Sequence, residues 1–109
     1  MITLRQMEQL TGVSRRMLQE YDRIGLLKCR GKTPGGYWLY TEDDGSRLIT
    51  IQLLRQNGFS RKEIADLSGD PGQPLQDMLH RAEEALLTRR QAIDQALGQL
   101  QDIMTHAEE

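Results

Sequence analysis

GVSRRMLQEYDRIGLL, residues 12–27, decides how the rest of the chain is read. Gly12 suits a tight turn because it accepts positive φ without steric cost. Ser14 suits the N-cap of a following helix. That helix is expected over about residues 14–23, with Arg15 and Arg16 in its first turn. Met17, Leu18 and Tyr21 recur at helical spacing and make its inner face. Arg15, Arg16, Gln19 and Glu20 point more outward. Gly25 ends it, and Ile24, Leu26 and Leu27 close the stretch as an apolar cluster. A helix that begins with two arginines after a glycine turn has the form of a recognition helix entering a DNA major groove.

The flanks fit that reading. Upstream, Thr3-Leu4-Arg5-Gln6 matches a capping box, and Leu4, Met7 and Leu10 follow at helical spacing. A first helix over about residues 4–11 completes a helix-turn-helix. Downstream, KCRGKTPGGYWLY (28–40) changes character. Its glycines and Pro34 punctuate a loop, and its aromatic run favours a strand. The pattern predicts a hairpin with one strand near 28–30 and another near 37–40. Lys28, Arg30 and Lys32 lie along it, as in a wing that touches phosphates.

Thr41-Glu42-Asp43-Asp44 is a second capping box, opening a helix to about Asn57. Leu48, Ile49, Ile51, Leu53 and Leu54 are expected to pack inward. Ser60-Arg61-Lys62-Glu63 is a third capping box, starting a short helix with Ile64 and Leu67. Residues 68–74, SGDPGQP, read as a linker.

Beyond it, Leu75, Leu79, Ala82, Leu86, Ile93, Ala96, Leu100 and Ile103 step by fours and threes, with Arg89 at the missing position. That is a heptad seam on one long helix. About 30 residues of helix span roughly 45 Å, more than so small a first domain can cover. Self-association is the simplest source of a partner helix. Fold-back through Pro71-Gly72 and Pro74 is the rival.

Composition narrows the function classes. The 109 residues suit one domain, or one domain plus an appendage, with 38% hydrophobic and 28% charged residues. The net charge of −2 conceals an asymmetry. Residues 1–62 carry eleven Lys/Arg against six Asp/Glu, whereas residues 63–109 carry three against ten. A basic first half can meet a polyanion while an acidic second half stays clear. No apolar run approaches the roughly 18–20 residues of a membrane span. The single cysteine, Cys29, has no internal disulfide partner and points to a reducing cytoplasm. Its neighbours Lys28 and Arg30 would lower a thiol pKa. His80 and His106 lie far apart without a third ligand, so no metal or other cofactor is expected. Asp43-Asp44 and Glu83-Glu84 do not face each other on a helix, so no acid/base pair points to an enzyme.

The order of elements resembles the MerR family of transcriptional regulators. The matching words are LTGVS (10–14), Arg16, Leu18, YDRIGLL (21–27), GYWLY (36–40) and LLRQNGFSRKEI (53–64). The resemblance implies a mainly α fold. A winged helix-turn-helix with a small β-hairpin wing occupies 1–68, a linker 69–74, and a dimerisation helix 75–109. In a homodimer the long helices would pair as an antiparallel coiled coil. The dimer would bind a palindromic operator in double-stranded DNA, distort it, and act with RNA polymerase. Many members of the family carry an effector domain beyond the dimer helix; the 109 residues leave no room for one, so no built-in effector domain is expected. The DNA-facing candidates are Arg15, Arg16, Gln19, Tyr21, Lys28, Arg30, Lys32 and Tyr37. Three positions depart from the family pattern. Gln19-Glu20 stands where Arg and an aromatic are usual, and Trp38 where the wing usually has Arg. Trp38 is expected to pack under the wing rather than stack on a sugar. The alternative reading is a protein-interaction module on a MerR-like scaffold with weakened DNA binding.

Overall fold

The computed structural model describes residues 1–69 and 72–108. Its elements, in chain order, are β1 (Ile2–Thr3), α1 (Leu4–Thr11), α2 (Arg15–Arg23), β2 (Gly31–Lys32), β3 (Trp38–Tyr40), α3 (Glu42–Gln56), α4 (Arg61–Ser68) and α5 (Leu75–Glu108). The fold is mainly helical, with a small antiparallel sheet as its wing and one long C-terminal helix.

Local chemistry fixes the helix starts. The hydroxyls of Thr3, Thr41 and Ser60 each accept from a backbone N–H three residues on. Gln6, Asp44 and Glu63 reach back to the cap N–H, so all three expected capping boxes form. Ser14 caps α2 by accepting from the Met17 N–H.

The wing has one strand more than the sequence suggests. The sheet order is β1-β3-β2, with Ile2 opposite Tyr40 and Lys32 opposite Trp38. Two residues of β1 give too short a stretch for a period-two pattern to show. The first hairpin strand, expected near 28–30, is Gly31–Lys32. The Arg30 N–H still donates to the Leu39 carbonyl at 2.8 Å, which leads the chain into the ladder.

Every helix of the first 68 residues feeds one core. Met7, Leu18, Tyr40, Leu48, Ile51, Leu54 and Ile64 are fully buried. Each such apolar side chain contributes roughly 1.5–3 kcal/mol relative to exposure. Three apolar expectations are corrected. Leu10 is 68% exposed, because α1 ends at Thr11 and Gly12 turns the chain away before anything covers that flank. Ile49 and Leu53 do not pack inward. Leu48, Ile51 and Leu54 take the core face of α3, which leaves Ile49 and Leu53, one turn apart, on a second stripe. That stripe borders a shallow apolar groove shared with Leu79, Leu86 and Leu87 of α5. Ile24, placed by sequence in the apolar cluster with Leu26 and Leu27, is 39% exposed while those two are buried.

The long helix divides into two parts. Met78 and Ala82 are buried against the first 68 residues, and Ala85 and Leu86 pack beside them. From Arg90 to Glu108 every residue is exposed except Gly98, which is half-exposed. The molecule is consequently elongated, at 72 × 24 × 21 Å. The expected linker 69–74 includes positions 70 and 71, and the expected dimerisation helix reaches 109. Those three positions lie outside the described residues.

Candidate nucleic-acid interface

The turn before α2 sets the direction of the recognition helix. Gly12 has φ 75°, and its N–H donates to the Glu8 carbonyl at 2.9 Å. The Glu8 carboxylate accepts from the Arg15 N–H at 3.1 Å, which occupies an open donor at the start of α2. Leu18 and Tyr21 bury the inner face, and Arg15, Arg16 and Gln19 stand exposed on the outer one. At the far end, the Asp22 carboxylate accepts from the Cys29 N–H at 2.9 Å and ties the helix to the approach of the wing.

One concavity runs between the α1–α2 pair and the wing. Arg5, Glu8, Arg15, Gln19, Tyr37 and Trp38 line it. The structure thus brings Arg15 and Gln19 of α2 together with Tyr37 of the wing loop. It adds Arg5, which sequence reasoning placed in the first helix but not at the site. Only the fold brings Arg5 to the recognition helix, so spacing held no signal for it. Trp38 is half-buried and packs against the core, with the Lys32 ammonium 5.9 Å from its ring centroid. Lys32 is exposed in β2, and Arg16 is exposed beside Arg15. Lys28 lies elsewhere, at a cavity between the wing base and the start of α5 that Leu27, Arg47 and Met78 also line.

Two candidates sit differently from their expected places. Tyr21 is a core residue, buried under the Arg61 guanidinium, which lies 6.0 Å from its ring centroid. Arg30 is committed within the protein. Its Nε and Nη2 donate to the two oxygens of Asp44 at 3.1 and 2.9 Å. Asp44 is fully buried and also accepts from the Thr41 N–H at 2.9 Å and from Arg47 at 3.1 Å. Burial alone would raise its carboxyl pKa, but the hydrogen bonds from Arg30 and Thr41 outweigh that and hold it below the ordinary value. Arg47 donates onward to the Gln73 carbonyl at 3.0 Å. Asp44 therefore joins the wing base, the start of α3 and the approach to α5.

Glu20, the acidic departure on α2, is neutralised locally. Arg23 Nε donates to its carboxylate at 3.0 Å, and Arg61 of α4 lies 3.6 Å away. The hydrogen bond from Arg23 is the main reason its pKa is lowered. The expectation for Cys29 is reversed. Burial, with Asp22 close by, pushes its thiol up rather than down, and the Arg30 charge that would lower it is held by Asp44. Among the described residues no group of three His, Cys, Asp or Glu could hold a metal, and no helix is long and apolar enough to cross a membrane.

Comparison with known proteins matches this arrangement. The chain is 32% identical over 94 residues to the HTH-type transcriptional activator mta of Bacillus subtilis, covering 86% of this chain and 37% of that protein. The crystal structure of MtaN, the N-terminus of the Bacillus subtilis multidrug transporter activator, superposes with a TM-score of 0.60 at 29% identity, covering 95% of this chain and 98% of that one. The HTH-type transcriptional regulator SkgA from Caulobacter crescentus superposes with a TM-score of 0.65 at 31% identity, covering 100% of this chain and 80% of that one. The chain spans just over a third of the full length of mta. The sequence model of the MerR HTH family regulatory proteins matches residues 2–69, and the chain belongs to that family.

Proposed function

We propose that the protein is a DNA-binding transcriptional regulator that acts in the cytoplasm as a homodimer on a palindromic promoter operator. The observation that carries this is the concavity between α2 and the wing. It gathers Arg5, Arg15, Gln19 and Tyr37 on the basic half of the chain. Its relatives named as transcriptional activators and regulators support the same reading.

Residues 1–68 form the DNA-binding unit, 69–74 the linker and 75–109 the dimerisation helix. Arg15 and Gln19 face base edges from the front of the recognition helix. Arg16, Lys32 and Tyr37 hold phosphates, and Arg30 braces the wing through Asp44. Two recognition helices on one two-fold axis match two half-sites, and the DNA is distorted to meet both. The distorted promoter then suits RNA polymerase.

The experiment is binding to duplex DNA from upstream of the protein's own gene as salt is raised. Arg16→Gln removes about one unit from the slope of log affinity against log salt, as one lost phosphate contact does. Arg15→Gln relaxes sequence preference as well. Binding no tighter than to an unrelated duplex at low salt would overturn the proposal.

A further inference from the structure

We propose that Glu20 is a built-in restraint on sequence-independent DNA binding: it holds Arg23 and Arg61 in ion pairs and so withholds two cations from phosphates. The inference rests on the DNA-binding reading above.

The geometry is specific. Glu20 lies on the flank of the recognition helix, next to exposed Gln19 and one turn from exposed Arg16. Its carboxylate takes Arg23 from its own helix and Arg61 from α4. Arg61 is drawn across α2, with its Nη2 3.9 Å from the Met17 sulfur. Both arginines remain solvent-accessible, at 71% and 41% of their side chains, so they are restrained by charge and not by burial. Without Glu20 each could swing to a phosphate beside the recognition helix.

The consequence follows from what drives sequence-independent binding. That binding is almost wholly counterion release, and its salt slope counts the phosphates neutralised, at about 0.9 per contact. A carboxylate that pairs two cations at the edge of the DNA-facing helix removes them from that count. It leaves Arg15 and Gln19, which face the concavity, free to read bases.

The test uses the dimer and a duplex of arbitrary sequence containing no operator. Glu20→Gln keeps the side-chain shape and removes the charge. It should tighten binding tenfold or more at about 50 mM salt and steepen the salt slope by about one to two. Adding Arg23→Gln and Arg61→Gln to that variant should return both quantities to near the wild-type values. Circular dichroism confirms that α2 remains folded in each variant. An unchanged slope in Glu20→Gln overturns the inference, and so does a steep slope that persists in the triple variant. If neither the wild type nor Glu20→Gln shows salt-dependent binding, the DNA-binding reading fails and takes this inference with it.

Discussion

The Arg89 guanidinium stacks 3.6 Å over the ring of Phe59. Its Nη1 donates to the Asn57 carbonyl at 2.9 Å and its Nη2 to Glu63 at 3.2 Å. One side chain on α5 thereby grips the whole turn between α3 and α4. In the sequence, Arg89 interrupts an apolar seam. In the fold it fastens the long helix to the first 68 residues at the point where the helix leaves them.

That grip has a measurable worth. A planar cation stacked on an aromatic contributes about 0.5–2 kcal/mol, and a charge-assisted hydrogen bond to a carbonyl adds about 1. The ion pair to half-exposed Glu63 adds little. Arg89→Met is expected to lower stability by roughly 1–2 kcal/mol in urea denaturation. Arg89→Lys should recover only part, because an ammonium cannot stack as a plane. A Met variant as stable as the wild type would show that the contact is idle.

Asp44 carries a larger stake. It is an ionised carboxylate with no solvent exposure, held by Arg30, Arg47 and the Thr41 N–H. Asp44→Ala leaves the half-buried Arg30 and Arg47 without their carboxylate and should cost about 3–5 kcal/mol. The pH dependence has a fixed sign. The pKa of Asp44 is lower in the folded state than its ordinary value of 3.8, so the unfolded chain binds its proton first. Its contribution is fully present above the unfolded pKa and is lost as pH falls from there through the folded value. Urea midpoints taken downward from about pH 5 should fall steeply in the wild type and less steeply in Asp44→Asn. Parallel profiles would remove Asp44 as the group responsible.

Tyr40 gives the opposite expectation. Its ring is fully buried in β3, and among the described residues its hydroxyl has no hydrogen-bond partner. Burial pushes that hydroxyl's pKa up, as does the charge of nearby Cys29 and Asp22. A buried hydroxyl without a partner costs about 1–3 kcal/mol. Tyr40→Phe keeps the ring and removes the cost, so its melting temperature should equal or exceed that of the wild type. A clear drop would reveal a hydrogen bond that the static geometry lacks.

The helices of this fold were legible because each has its own local signature. Thr3, Ser14, Thr41 and Ser60 announce four helix starts through chemistry confined to three residues. Gly12 marks the turn because its φ is positive. What remained illegible depends on contacts distant in sequence. Asp44 looks like any acid in a first helical turn until Arg30, fourteen residues earlier, folds over it. Arg30 in turn looks like a free wing cation until Asp44 claims it. β1 is invisible because a two-residue strand exists only through its pairing with β3. Arg5 joins the concavity only once α1 is laid beside α2. Helix spacing did place Arg15 and Gln19 on the exposed face of α2, because that face depends only on local periodicity. A side chain's place was read poorly where a charge partner sets it.

The exposed half of α5 sharpens the expected seam. In the isolated chain Ile93, Leu97, Leu100 and Met104 are all about half exposed. With Leu86 and Arg90 they form a second run of alternating fours and threes beside the one through Ala96 and Ile103, and Arg89, which the first run needs, is already held on Phe59 and Asn57. The second run is symmetric about position 95. In an antiparallel pair Leu86 then faces Met104, Ile93 faces Leu97, and Arg90 faces Leu100 of the other copy. Leu97→Asp removes one buried leucine from each helix, each worth about 1.5–3 kcal/mol on burial. The dimer dissociation constant in sedimentation should rise at least about a hundredfold. Arg90→Leu should tighten the dimer, since it replaces a charge facing a leucine. Neither change should unfold the first 68 residues, because positions 90 and 97 lie outside their buried core. A Leu97→Asp protein that stays dimeric would place the interface elsewhere.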